Sequence, residues 1–151
     1  MTSGRDRAAE WGPIGYALAL AARAHRATLQ EHLSRLGLHL GQELVIVDLS
    51  ENPDSTQTAL VERLGVEQPT VAKTITRMER AGFLQRSNDE RDRRVTRLRL
   101  TALGQGVVED VTAAWAAADA TAVARLTERQ QRTLASLLHK VDHQPHNEEL
   151  H

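Results

Sequence analysis

The chain has 151 residues, a formal net charge of −1, 40% hydrophobic and 26% charged residues, and no cysteine. That is the length of one ordinary domain, enough to bury a core without disulfides or a structural metal. The missing cysteines exclude a disulfide framework, a thiolate nucleophile, a zinc-thiolate site and a cysteine redox switch.

No apolar run approaches the roughly 20 residues of a membrane span. The opening segment MTSGRDRAAEWGP lacks the apolar core of a signal peptide. A cytoplasmic protein with no membrane partner is expected. The charge is unevenly placed. From Gln68 to Arg99 nine basic residues stand against four acids, and the rest of the chain carries ten basic residues and sixteen acids. Such blocks suit a molecule in which one surface meets an anion while the others keep it in solution.

After the polar start and Gly12-Pro13, a helix is expected over 14–35, with Leu18, Ala22, His25, Leu29 and Leu33 near helical spacing. Residues 40–49 form a short apolar element. The run Leu44–Val47 admits a strand, but Gln42, Glu43 and Asp48 around it favour a helix. The composition of SENPDS, residues 50–55, reads as a loop. Thr56 then has the character of an N-cap for QTALVERL, with Leu60, Val61 and Leu64 inward and Gly65 as a left-handed stop. Pro69 opens a longer helix that closes at Gly82. A short helix, a glycine, a tight turn and a longer helix make a helix-turn-helix.

The longer helix has two faces. Val71, Ile75 and Met78 form an apolar stripe toward a core. Thr70, Lys73, Thr74 and Arg77 form a second stripe of hydroxyls and cations with no acid. A helix face that is merely solvated mixes in acids for i,i+4 pairs. One without them suits a groove lined by phosphates.

Two strands follow, FLQRS (83–87) and VTRLRLT (95–101), joined by the loop NDERDRR. Thr96, Leu98 and Leu100 face one way, and Val95, Arg97 and Arg99 the other. A basic hairpin directly behind a helix-turn-helix is the wing of a winged helix. The expected class is therefore mainly α with a small β-hairpin wing (α+β). The loop carries arginines to the wing tip, where guanidinium groups can enter the minor groove of DNA. Asp92, two residues before Arg94, can brace that side chain, whose fixing otherwise costs up to ~2 kcal/mol of entropy.

The remainder reads as helix. Thr101 caps an alanine-rich segment over 102–125, TERQ (127–130) is a capping box, and Leu134, Leu137, Leu138 and Val141 mark one face of a last helix. Residues 143–151 are polar and expected to fray.

Other classes have weaker signals. Ser34, Ser50, Ser55, Ser87 and Ser136 sit in no nucleophile elbow, and no glycine-rich phosphate loop is present, so no enzyme and no cofactor are expected. His139 and His143 at i,i+4, with His146 and His151 beyond and His25 and His32 on the first helix, raise a zinc-responsive alternative. Solvated histidines are the simpler account, and no metal ligand is assigned. His25, on an apolar stripe, reads as a satisfied core histidine. Base-stacking on RNA is disfavoured, because Phe83 alone among Trp11, Tyr16, Phe83 and Trp115 lies near the basic segment. A winged helix used for protein interaction is a further alternative, against which the acid-free stripe speaks.

The chain resembles the MarR family of bacterial winged-helix transcription regulators. The most specific match is the wing motif Asp92-Arg93-Arg94, five residues, then Leu100-Thr101. LGLHLGQELVIVDL and TQTALVERLGVEQPTVAKTITRMERAGFLQR are similar to the family's second helix and helix-turn-helix, so the likeness spans roughly 36–104. It implies a homodimer whose terminal helices interlock: residues 1–36 and 102–144 would dimerise, 37–101 would form the DNA-binding lobe, and 145–151 would be a tail. The small side chains of AAWAAADATAVA (113–124) are compatible with such close helix packing.

It further implies a transcriptional regulator, most simply a repressor, on a pseudo-palindromic double-stranded operator, released by a small-molecule effector of phenolic or aromatic-acid type. Carried over by position, the DNA-binding residues are Gln68, Thr70, Lys73, Thr74 and Arg77 on the recognition helix, Gln57 at the preceding helix start, and Asp92, Arg93 and Arg94 in the wing. Trp11, Tyr16 and His39 fall near the expected dimer base, but no ligand-binding residue is assigned.

Overall fold

A computed structural model describes residues 4–142. In chain order the elements are α1 (Gly4–Trp11), α2 (Pro13–Ser34), α3 (Gln42–Glu51), β1 (Ser55–Thr56), α4 (Gln57–Leu64), α5 (Gln68–Arg80), β2 (Leu84–Asn88), β3 (Thr96–Leu100), α6 (Ala102–Gly106), α7 (Val108–Ala122) and α8 (Glu128–Asp142). The three strands form one antiparallel sheet in the order β1-β3-β2. In the hairpin Leu84 pairs with Leu100 and Asn88 with Thr96, and the wing follows α5 after a turn at Gly82, whose φ is 86°.

One apolar cluster holds the elements together. It joins Leu29 and Leu33 of α2, Val45, Ile46 and Leu49 of α3, Leu60 of α4, Val71, Ile75 and Met78 of α5, Leu98 of β3, and Val111, Ala114 and Ala118 of α7. The expected inward stripe of the second helix-turn-helix helix is the buried one, and the ambiguous run Leu44–Val47 is helical. Val45, Ile46 and Leu49 recur at helical spacing and all three are buried. Three side chains hold the connection after α2: Gln42 accepts the His39 N–H at 3.0 Å, Glu43 accepts that of Gly41 at 2.6 Å, and Gln30 bonds on both sides of His39. Gln30 donates to the Leu38 carbonyl at 3.2 Å and accepts the Leu40 N–H at 3.0 Å, so it mimics a strand partner for residues 38–40.

Four expectations are corrected. The polar start contains a helix, α1, which buries none of its residues and so carries no apolar stripe to read. The loop 50–55 gives its first two residues to α3 and its last to β1, where Ser55 pairs with Leu98 and Thr56 with Arg97. A two-residue strand is too short for alternation to show. The single helix expected over 102–125 is divided: α6 stops at Gly106, and Val107, at φ −98° and ψ −1°, turns the chain into α7. Two glycines in five residues weaken helix propensity at that point. The strand ends also differ, with β2 running over 84–88 and β3 over 96–100.

The caps stand as read. Thr56 Oγ1 accepts the Ala59 N–H at 3.1 Å, and Thr101 Oγ1 accepts that of Gly104 at 3.2 Å. In the capping box, Gln130 Oε1 accepts the Thr127 N–H at 2.9 Å while Thr127 Oγ1 accepts that of Gln130 at 3.3 Å. His25 is half-buried, and its ring lies 5.3 Å from that of Trp115, linking α2 to α7. The tail histidines His143, His146 and His151 lie outside the described residues.

Candidate nucleic-acid interface

The turn between α4 and α5 is fixed from both sides. Gly65 ends α4 in the left-handed region at φ 61°, which a Cβ would disfavour. Arg63, in the last turn of α4, donates to both carboxylate oxygens of Asp48 at 2.8 and 2.6 Å and to Ser55 Oγ at 2.8 Å. The hydrogen bond to Asp48 holds its pKa above the ordinary arginine value. This arginine therefore ties α4 to α3 and to the sheet.

The outward face of α5 carries the residues read from the sequence. Gln68, Thr70, Lys73 and Arg77 are exposed, and Thr74 is half-buried. Thr74 Oγ1 donates to the Thr70 carbonyl at 2.9 Å, so its proton is already engaged and its lone pairs remain. Gln57 is half-buried at the first position of α4. The first turn of α5 has no acid and no side-chain cap. The residue just before that turn, the N-cap Glu67, is an acid set against the partial positive charge of the helix N-terminus.

In the wing the charges divide into two sets. Arg86 reaches back to α5, 3.2 Å from Thr76 Oγ1 and 3.6 Å from Glu79. Arg97 and Arg99 pair with Asp89 and Asp54. The other six cations between 68 and 99 make no ion pair among the described residues: Lys73, Arg77 and Arg80 on α5, and Arg91, Arg93 and Arg94 in the loop. The alternating arginines of β3 therefore hold the wing together, and the free charge lies on the helix and at the loop.

The expected brace is also corrected. Asp92 Oδ1 accepts the backbone N–H of Arg94 at 3.0 Å and holds the turn rather than the guanidinium. An Asx-type bond to the residue two ahead is the shorter reach for an aspartate. Two cations outside the assigned set also make no ion pair among the described residues: Arg80, which the sequence pattern set off the stripe with Glu79, and Arg91 in the loop. Arg80 lies i+7 from Lys73 and i+3 from Arg77, a readable spacing. Arg91 lies between Glu90 and Asp92.

No helix among the described residues is long and apolar enough to cross a membrane. Nor do the described residues bring together three side chains able to hold a metal.

A recognition helix with an acid-free outer face, set beside a cationic hairpin, defines a winged helix-turn-helix protein. The MarR family model matches residues 38–96. An uncharacterized HTH-type transcriptional regulator of Bacillus subtilis, YybA, is 29% identical over 124 residues, which are 82% of this chain and 83% of the relative. The crystal structure of a MarR family protein of Mycobacterium tuberculosis in complex with salicylic acid is 30% identical, with 86% of this chain and 96% of that one covered at a TM-score of 0.68. A mutant Escherichia coli MarR complexed with operator DNA shares the fold at a TM-score of 0.79 and 23% identity, covering 88% of this chain and 96% of that one. The chain belongs to the MarR family and is a DNA-binding transcriptional regulator.

Proposed function

We propose that the protein is a cytoplasmic homodimeric repressor that occupies a pseudo-palindromic operator and is released by a small effector of the phenolic or aromatic-acid class. The observation that carries DNA recognition is the outer face of α5, where Lys73, Arg77 and Arg80 stand without acid partners. Lys73 and Arg77 have the chemistry to reach guanine edges, Arg77 through a bidentate pair. Gln57, Gln68, Thr70 and Thr74 suit backbone and generalist contacts. Arg91, Arg93 and Arg94 suit the minor groove beside the helix, over a loop turned by Asp92. In this reading residues 37–101 are the DNA-binding lobe.

Dimerisation is supported by what the terminal helices leave uncovered. α8 buries none of its residues, and Leu134, Leu137, Leu138 and Val141 are exposed along it. Trp11 is 80% and Ile14 74% exposed at the other end. Apolar faces of this extent mark an interface, and residues 1–36 and 102–144 would form it with a second copy. The effector class rests on the relative solved with salicylic acid. A hydroxyl-radical footprint on the DNA just upstream of the protein's own gene tests the reading. Two protected half-sites about 34–36 Å apart are expected from a two-fold dimer. A single protected half-site, with a monomer in sedimentation, would contradict it.

A further inference from the structure

A continuous bonded path runs from the start of the helix-turn-helix to the wing loop. Asp54, just before β1, has a φ of 60°, a left-handed conformation that an aspartate tolerates better than most residues. Its carboxylate accepts Arg99 Nε at 2.8 Å and Nη2 at 2.5 Å, and its carbonyl accepts Arg97 Nη1 at 3.1 Å. Arg97 turns its other two donors, Nε and Nη2, to Asp89 Oδ2, both at 2.8 Å. The remaining oxygen of Asp89 accepts the backbone N–H groups of Arg91 at 2.8 Å and Asp92 at 3.2 Å. One carboxylate thus grips both a strand arginine and the backbone immediately before Arg93 and Arg94.

We propose that Asp89 is the positioning residue of the wing, fixing the course of residues 90–94 so that Arg91, Arg93 and Arg94 meet DNA already ordered, with Asp54 anchoring the arginines behind it. The proposal rests on the DNA-binding reading above and deepens it. Its sign separates it from simple electrostatics. An acid beside a polyanion opposes binding, so removing one should by itself tighten the complex. Removing a positioning acid returns the cost of ordering the loop to the binding step and loosens the complex.

The test compares Asp89→Asn with Arg94→Ala in the full chain, on the duplex upstream of the protein's own gene, by fluorescence anisotropy. Asparagine keeps the size of the side chain and one acceptor, and thermal melting checks that the fold is intact. Asp89→Asn should weaken binding about fivefold. That loss should vanish when Arg91, Arg93 and Arg94 are all alanine, because Asp89 acts only through them. Asp54→Asn, which tolerates the left-handed backbone, should weaken binding in the same direction. Tighter or unchanged binding by Asp89→Asn, with Arg94→Ala still weakened, would overturn the positioning role alone. Unchanged binding by Arg94→Ala would overturn the wing reading and the positioning role with it.

Discussion

Replacing Gly104 with alanine probes the joint between the wing and the helices that follow it. A Cβ at Gly104 would lie 2.0 Å from the Phe83 carbonyl oxygen, 3.1 Å from its carbon and 3.2 Å from Leu100 Cδ2. That carbonyl is held in place. It accepts the Thr101 N–H at 3.0 Å, and Thr101 Oγ1 bonds both Gly104 N–H and the Gly82 carbonyl. Relief of the clash requires a backbone shift of roughly 1 Å, enough to weaken two of these bonds at about 1 kcal/mol each. Overpacking adds about 1–3 kcal/mol, and the better helix propensity of alanine returns up to about 1 kcal/mol.

The net destabilisation is about 3 kcal/mol, or a fall in Tm of roughly 6–12 °C for a chain of this size. Gly106, in the same helix, has nothing within 4 Å of its Cβ position. Gly106→Ala should be neutral or stabilise by up to about 1 kcal/mol. Urea and thermal melts of both variants at one fixed protein concentration check this, because the proposed dimer would couple Tm to concentration. A Gly104→Ala protein within about 0.5 kcal/mol of the parent, or equal losses in the two variants, would refute the close approach of α6 to the wing.

If the proposed dimer forms through α8, Leu137→Glu combined with Leu138→Glu, which places charge in its exposed apolar face, should give a monomer in sedimentation velocity where the parent sediments as a dimer. A dimer that persists would place the interface elsewhere. Arg77→Ala should cost about 1–3 kcal/mol on the preferred sequence and relax base preference, whereas equal weakening on every duplex would make Arg77 a phosphate contact.

The acids predict opposite pH trends. For Asp54 the Arg99 hydrogen bond, and for Asp89 first the Arg91 N–H and then Arg97, hold the carboxyls below the ordinary value of 3.8. Their stabilisation is present above that value and is lost as pH falls through the folded pKa. Burial raises Glu43 above 4.5, against the lowering effect of backbone hydrogen bonds from its own N–H and that of Gly41 and of nearby Arg26. Its contribution is present below 4.5 and is lost as pH rises through the folded pKa. Glu43→Gln should therefore flatten the decline in unfolding free energy above pH 4.5, and an unchanged slope would remove Glu43 as its source.

The helix-turn-helix was legible because each of its signals is local. Thr56, Gly65 and Pro69 mark helix ends, and Val71, Ile75 and Met78 mark a face. The wing strands were legible from Leu98 and Leu100 alternating with Arg97 and Arg99. What the arginines do was not fully legible, since Asp54, which pairs with Arg99 and accepts one donor of Arg97 through its carbonyl, lies more than forty residues away in a turn read as loop. β1 depends on a pairing with β3 made only after folding, whereas Gly104 and Gly106 were a local signal for the break at Val107 that the alanine-rich run obscured. α1 was missed because it packs no apolar face that a pattern could reveal. Arg80 was set off the stripe with Glu79, although it lies i+3 from Arg77 and i+7 from Lys73.

The most direct test of sequence-specific DNA binding is anisotropy with the duplex upstream of the protein's own gene, across a salt series, beside an unrelated duplex of equal length. A wide affinity margin over the unrelated duplex is predicted. A steep linear fall of log K with log salt is also predicted, at about 0.9 per phosphate contacted, and shallower in an Arg91, Arg93 and Arg94 triple alanine variant. No binding to either duplex at low salt would contradict the assignment of the α5 face and the wing to DNA.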